Sequence, residues 1–237
     1  GLTTDRIIEY NITIISISAT PDVNLSIMSR ETLENDSIKS ARHKRILLKP
    51  GANYKGFKYF IDRIENFDDK VHLDRLVYSK FSSPRYHFIR IRVTAQSNTS
   101  NTYNRGQIEN CIMNQNWKII NDDDTQNFYL SFENDDNERK AEQDNKTVVK
   151  MYIRPTIHTF ILLKNKYQAS KRLKLNKFTG IISEKPAGTN NTRDKSRNTT
   201  ITANGLIPRF WFYGEEPEYI DNQPCCFICD KVSVNEY

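Results

Sequence analysis

Four cysteines are the first residues whose spacing could do chemistry: Cys111, Cys225, Cys226 and Cys229. Cys226 and Cys229 have the C-x-x-C spacing of a zinc knuckle or a redox pair. A structural zinc takes four ligands, usually from two such pairs. Outside the cluster only Cys111 remains, and no histidine stands at ligand spacing. The run Cys226-Phe227-Ile228-Cys229 also reads as a strand, which turns its two end thiols to opposite faces. We therefore expect buried reduced thiols and no metal site. Such usage suits a reducing compartment or a particle assembled inside a cell. The histidines His43, His72, His87 and His158 are scattered. His87 and His158 fall inside strand-like segments, where an imidazole normally belongs to the core or the sheet face. Asp122-Asp123-Asp124 lacks the alternate spacing and the glycine of a calcium loop and reads as a solvated turn. The nucleophile-elbow, zincin, phosphate-loop and dinucleotide-binding patterns are all missing. The expectation is a protein that is not an enzyme, with no catalytic residues and no cofactor.

What remains is charge. The formal net charge is +6, from 35 basic and 29 acidic residues. Its distribution tells more than its sum. The stretch 37–61 carries Lys39, Arg42, Lys44, Arg45, Lys49, Lys55 and Lys58 and no acid. The stretch 75–107 carries Arg75, Lys80, Arg85, Arg90, Arg92 and Arg105, again without acid. The sign then flips, with acids crowding 122–144, and 146–209 is basic again. Separate blocks allow one face to meet a polyanion and another to meet a basic neighbour. The compact clusters are Arg42-His43-Lys44-Arg45 and Lys171-Arg172-Leu173-Lys174. With Lys39, Lys49, Arg90 and Arg92 they make a candidate nucleic-acid-binding set. Arginines and lysines would neutralise phosphates, and aromatics such as Phe88 would be available for base stacking. Binding of that kind is salt-sensitive and largely independent of sequence.

These residues need elements to hold them. The chain has 237 residues, enough to bury a core without a disulfide or metal. Aromatics reach 11%, which argues against a disordered chain. No apolar run approaches the roughly 18 residues that cross a bilayer, and the opening residues do not read as a signal peptide. Strand patterns dominate, at 6–18, 45–49, 87–94, 117–120, 128–132, 148–154, 156–164, 178–182, 199–203, 208–213 and 226–234. Helical spacing is confined to 28–44 and 167–175. The polar stretches 97–116, 135–146 and 185–198 read as long loops. No repeat and no linker divides the chain. Many strands with few helices predict an all-β antiparallel sandwich, a viral-type jelly roll, forming a single domain over 1–237.

The segment Ser82-Ser83-Pro84-Arg85-Tyr86-His87-Phe88-Ile89-Arg90-Ile91-Arg92-Val93 resembles a strand of circovirus-like single-stranded DNA virus capsid proteins. Pro208-Arg209-Phe210-Trp211-Phe212-Tyr213 and 227–234 resemble the closing strands of the same jelly roll. These capsid proteins usually begin with a long Arg-rich arm. This chain does not, and the basic block 39–58 would serve in its place. The resemblance implies a shell subunit of a virion that self-assembles in many copies and contacts packaged nucleic acid, without a membrane. Two alternatives stand beside it. One is a nucleic-acid-binding module of an intracellular complex. The other is a secreted β-sandwich glycoprotein domain, suggested by sequons at Asn11, Asn24, Asn35, Asn98, Asn145, Asn190 and Asn198.

Overall fold

The computed structural model describes residues 52–66, 73–90, 105–122, 128–133, 136–163, 173–184 and 205–229. The chain divides into the units 1–49 and 50–237, and every described residue belongs to the second. Ten strands are described: β1 (Tyr54–Lys55), β2 (Ile64–Asn66), β3 (Tyr86–Arg90), β4 (Lys118–Asp122), β5 (Phe128–Ser131), β6 (Thr147–Lys150), β7 (Thr159–Leu163), β8 (Thr179–Glu184), β9 (Phe212–Tyr213) and β10 (Cys226–Cys229). Four helices accompany them: α1 (Phe57–Phe60), α2 (Leu73–Lys80), α3 (Arg105–Asn114) and α4 (Asn137–Gln143).

The antiparallel jelly roll is not what forms. Six strands make one sheet in the order β2-β10-β8-β3-β7-β4, and every neighbouring pair in it is parallel. A second, two-stranded sheet, β5-β6, is also parallel. The antiparallel pair among the described residues is the short β1-β9 ribbon. The fold is mixed α/β. The strand sequences hold the reason. Thr159-Phe-Ile-Leu-Leu163 and Cys226-Phe-Ile-Cys229 are unbroken apolar runs, and every residue of β3, β7, β8 and β10 is buried. Such strands need cover on both faces, and helical or irregular crossovers between parallel strands provide it.

The strand order assigns the two faces. The path β2 to β3 to β4 runs across the sheet in one direction, and β4 to β7 to β8 to β10 runs back. Right-handed crossovers then place the first two connections on one face and the rest on the other. The core divides accordingly. Leu73, Val77, Ile108 and Ile112 of α2 and α3 pack with Ile89, Phe160, Leu162, Ile181 and Ile228. Phe128, Leu130, Met151, Leu173, Phe178 and Phe210 pack with Phe88, Ile161, Ile182 and Phe227 on the opposite side. Cys226 lies in the first cluster and Cys229 in the second, so the two thiols do point to opposite faces. Burial pushes the Cys225 and Cys226 thiols up to about 12.

All four described helices occupy segments that read as loops or carried no helical signal. Helix α3 falls within 97–116 and α4 within 135–146. Asn137-Glu-Arg-Lys-Ala-Glu-Gln143 consists largely of good helix formers, with one buried apolar residue, Ala141. Both helices stop in the same way. Asn116 and Asn145 adopt left-handed backbone, with φ of 55° and 52°. Trp117 N–H then donates to Ile112 O and Lys146 N–H to Ala141 O, and the Asn116 and Asn145 N–H groups donate to Met113 O and Glu142 O. This is a Schellman termination with asparagine in place of glycine. It turns the chain directly into β4 and into β6.

Near the start of β3 the packing is closest around Gly180. A Cβ there would lie 2.6 Å from His87 Cε1, 2.7 Å from its Nδ1 and 2.9 Å from Arg85 Cβ, and both side chains are fully buried. Gly180→Ala therefore forces His87 away from the Ile181 N–H that it accepts at 3.0 Å. Overpacking and a stranded amide together cost about 3 kcal/mol or more. The check is a urea unfolding midpoint well below that of the wild type. An unchanged midpoint would show that the ring has room to move.

Candidate nucleic-acid interface

Strands β4 and β6, entered through the two asparagine turns, face each other across a cleft of about 950 Å³. Lys118, Ile119 and Ile120 form one wall and Thr147 to Lys150 the other. Ile153 to Ile157 close one end, and Tyr86 and Phe128 complete the lining. The lining is divided by chemistry. Ile153 and Ile157 are large apolar side chains left 52% and 43% exposed, and they give the lining an apolar part. Around them stand Lys118, Lys146, Lys150 and Arg154, opposed within the cleft by Asp144.

Local bonds hold the cations in place. Tyr86 Oη donates to the carbonyls of Lys150 at 3.3 Å and Ile153 at 3.0 Å, tying the turn after β6 to the main sheet. Burial raises the Tyr86 phenol, which keeps it a donor. Pro155 restricts Arg154 to extended backbone. Lys150 Nζ lies 2.8 Å from Glu138, which also accepts from Tyr152 Oη at 2.5 Å and Ser131 Oγ at 2.9 Å. Lys150, Tyr152 and Ser131 hold the Glu138 carboxyl down to about 2, and Glu138 in turn raises the Lys150 ammonium. Lys146 Nζ is 3.9 Å from Asp144, which accepts from Tyr129 Oη at 2.6 Å. Lys118 and Arg154 are exposed and take part in no ion pair among the described residues. Two cations are thus already paired with carboxylates, and Lys118 and Arg154 stand exposed, Arg154 within electrostatic reach of Asp221.

The residues singled out from sequence lie elsewhere. Lys39, Arg42, Lys44, Arg45, Lys49, Arg92, Lys171 and Arg172 fall outside the described residues. Lys174 is exposed, next to the buried Leu173, and does not line the cleft. Arg90 is 2% exposed at the end of β3, and its guanidinium meets Glu184 at the end of β8 at 3.1 Å. The two are register partners on neighbouring strands. They stand at the carboxyl edge, where the connections leaving β3 and β8 depart to opposite faces. That reversal point is where open α/β sheets place ligands. Here Arg90 has its charge balanced within the sheet. The cleft residues Lys118, Lys146, Lys150 and Arg154 were missed as a set. A signal was present in the density of bases between Lys146 and Arg154, three in nine residues without an acid.

The cysteines form no disulfide, and no group of three His, Cys, Asp or Glu side chains able to hold a metal occurs among the described residues. No helix among them is long and apolar enough to cross a membrane. Compared with protein-family models, with curated proteins and with solved structures, the chain finds no match.

Proposed function

We propose that this chain is a nucleic-acid-binding module that takes the phosphate backbone along the β4–β6 cleft. The observation that carries the reading is the convergence of Lys118, Lys146, Lys150 and Arg154 on one cleft with exposed isoleucines at its end. Four cations near a polyanion release condensed counterions, which supplies affinity without any sequence preference. The apolar end gives unstacked bases or sugars something to cover. The shell-subunit expectation leaned on a jelly roll, and a parallel sheet withdraws that support. The binding-module alternative rests on basic segments and does not need a jelly roll.

The test is fluorescence anisotropy with a labelled oligonucleotide across a salt series. Four phosphate contacts give a log–log salt slope of about −3 for a single strand. Reversing the two exposed charges outside the ion pairs in a Lys118→Glu, Arg154→Glu double variant lowers affinity by about tenfold or more at about 50 mM salt and flattens the slope. Both positions are exposed, so the fold tolerates the change. Wild-type affinity in the double variant, or no binding by the wild type at low salt, overturns the reading.

A further inference from the structure

The cleft walls are strand edges, and that narrows what can occupy them. Strand β4 ends the six-stranded sheet, and its outer edge has no strand partner among the described residues. Lys118 N–H donates to His158 O at 2.9 Å, so the main-chain groups of Lys118 turn toward β7. Successive residues of a strand alternate, so Ile120 also turns toward β7, while Ile119 and Asn121 present N–H and C=O outward. On the facing wall Met151 N–H donates to Ser131 O at 2.8 Å. The same alternation turns Val149 toward β5 and Val148 away from it. Each outward residue offers one donor and one acceptor side by side.

We propose, resting on the nucleic-acid reading above, that the cleft selects single strands over duplexes. Phosphates meet the four cations, and unpaired bases turn inward to exchange hydrogen bonds with the outward main-chain groups of Ile119 and Val148, both of which line the cleft. Every base carries both donors and acceptors on its pairing edge, so this mode tolerates all sequences. In a duplex those edges are already engaged with each other, and only the phosphates remain to be recognised. An electrostatic rim alone would not distinguish the two forms, whereas main-chain walls do.

The experiment compares four probes on the full chain at one salt concentration. They are a mixed-sequence single strand, an abasic strand of the same length, the matched duplex and a polyglutamate peptide. The expected result is that the single strand binds about tenfold or more tightly than the abasic strand or the duplex. Equal binding of the single strand, the abasic strand and the duplex overturns this inference and leaves the nucleic-acid reading standing. Tightest binding by polyglutamate overturns both, in favour of a peptide that adds to the strand edge. No binding by any probe overturns the reading itself. A Val148→Pro variant removes one outward N–H from an edge, where proline is tolerated. Its affinity for the single strand falls about threefold or more while that for the abasic strand holds, which also reports an intact fold. An equal change on both probes counts against the inference.

Discussion

Replacing Glu184 by alanine is expected to destabilise the fold by about 3–5 kcal/mol, the cost of leaving a buried charge without its partner. Glu184 is 2% exposed, as is Arg90. One carboxylate oxygen lies 3.1 Å from the Arg90 guanidinium, and the other accepts the backbone N–H of Leu206. Removing the carboxylate leaves a guanidinium in low dielectric between two core strands and strands the Leu206 amide as well. Arg90→Met alone should cost a comparable amount, because it leaves the carboxylate. The double variant Arg90→Met, Glu184→Gln keeps an acceptor for Leu206 and buries no charge. It should recover most of the loss, since apolar replacements of buried ion pairs are often near neutral. Urea unfolding of the wild type, Arg90→Met, Glu184→Gln and the double variant closes the cycle. Additive losses would show that the two groups do not depend on each other.

Lowering the pH from about 6.5 to about 5 is expected to remove about 2 kcal/mol of stability for each of two histidines, at ~1.4 kcal/mol per pH decade. His87 Nε2 and His158 Nδ1 lie 2.9 Å apart, and His87 Nδ1 accepts Ile181 N–H at 3.0 Å. The proton between the rings therefore sits on His87 Nε2. An added proton has no place. On His87 it would oppose the Ile181 N–H, and on His158 Nδ1 it would oppose the His87 N–H. Burial, the neighbouring His158 and the Arg85 charge hold His87 well below the usual histidine range. Burial and Arg85 bring His158 down to about 4. The other neighbours, Phe160, Trp117 and Phe81, offer no compensating charge. In the unfolded chain both rings take up protons near pH 6.5, so the unfolded state binds more protons and gains as pH falls. Stability is complete above about 6.5 and is lost as pH drops toward 4. His158→Asn keeps an acceptor and removes one titration, so its stability should decline less over that window. Identical declines in variant and wild type would remove the pair as the cause.

Local order was largely legible in the residues, because it depends on neighbours in sequence. Strand positions at 87–94, 117–120, 128–132, 156–164 and 178–182 contain or overlap β3, β4, β5, β7 and β8. The opposite facing of Cys226 and Cys229 followed from the two-residue period alone. The helices were harder to read. Helix α3 contributes Ile108 and Ile112 to the core, and α4 contributes Ala141. So few apolar residues in polar surroundings look like a loop until a sheet face is there to receive them.

Strand direction was not legible in the same way. An alternating or continuous apolar run reads alike whether its neighbour is parallel or antiparallel. The choice lies in the connection, and helices inside the polar stretches made crossovers of what looked like loops. Arg90 shows the consequence for function. Two-residue alternation put its side chain on a sheet face, and an open sandwich would have exposed that face. Cover on both sides buried it against Glu184, 94 positions away in the chain. The cleft is the converse case. Lys118, Lys150 and Arg154 come from separate segments and became one site when β4 and β6 came to line a common cleft. The sequence by itself determined where most of the chain extends, that Cys226 and Cys229 face opposite ways and which residues carry charge. Only the tertiary structure decided which charges were buried in pairs and which were left facing a common cleft, because burial depends on what packs over each face.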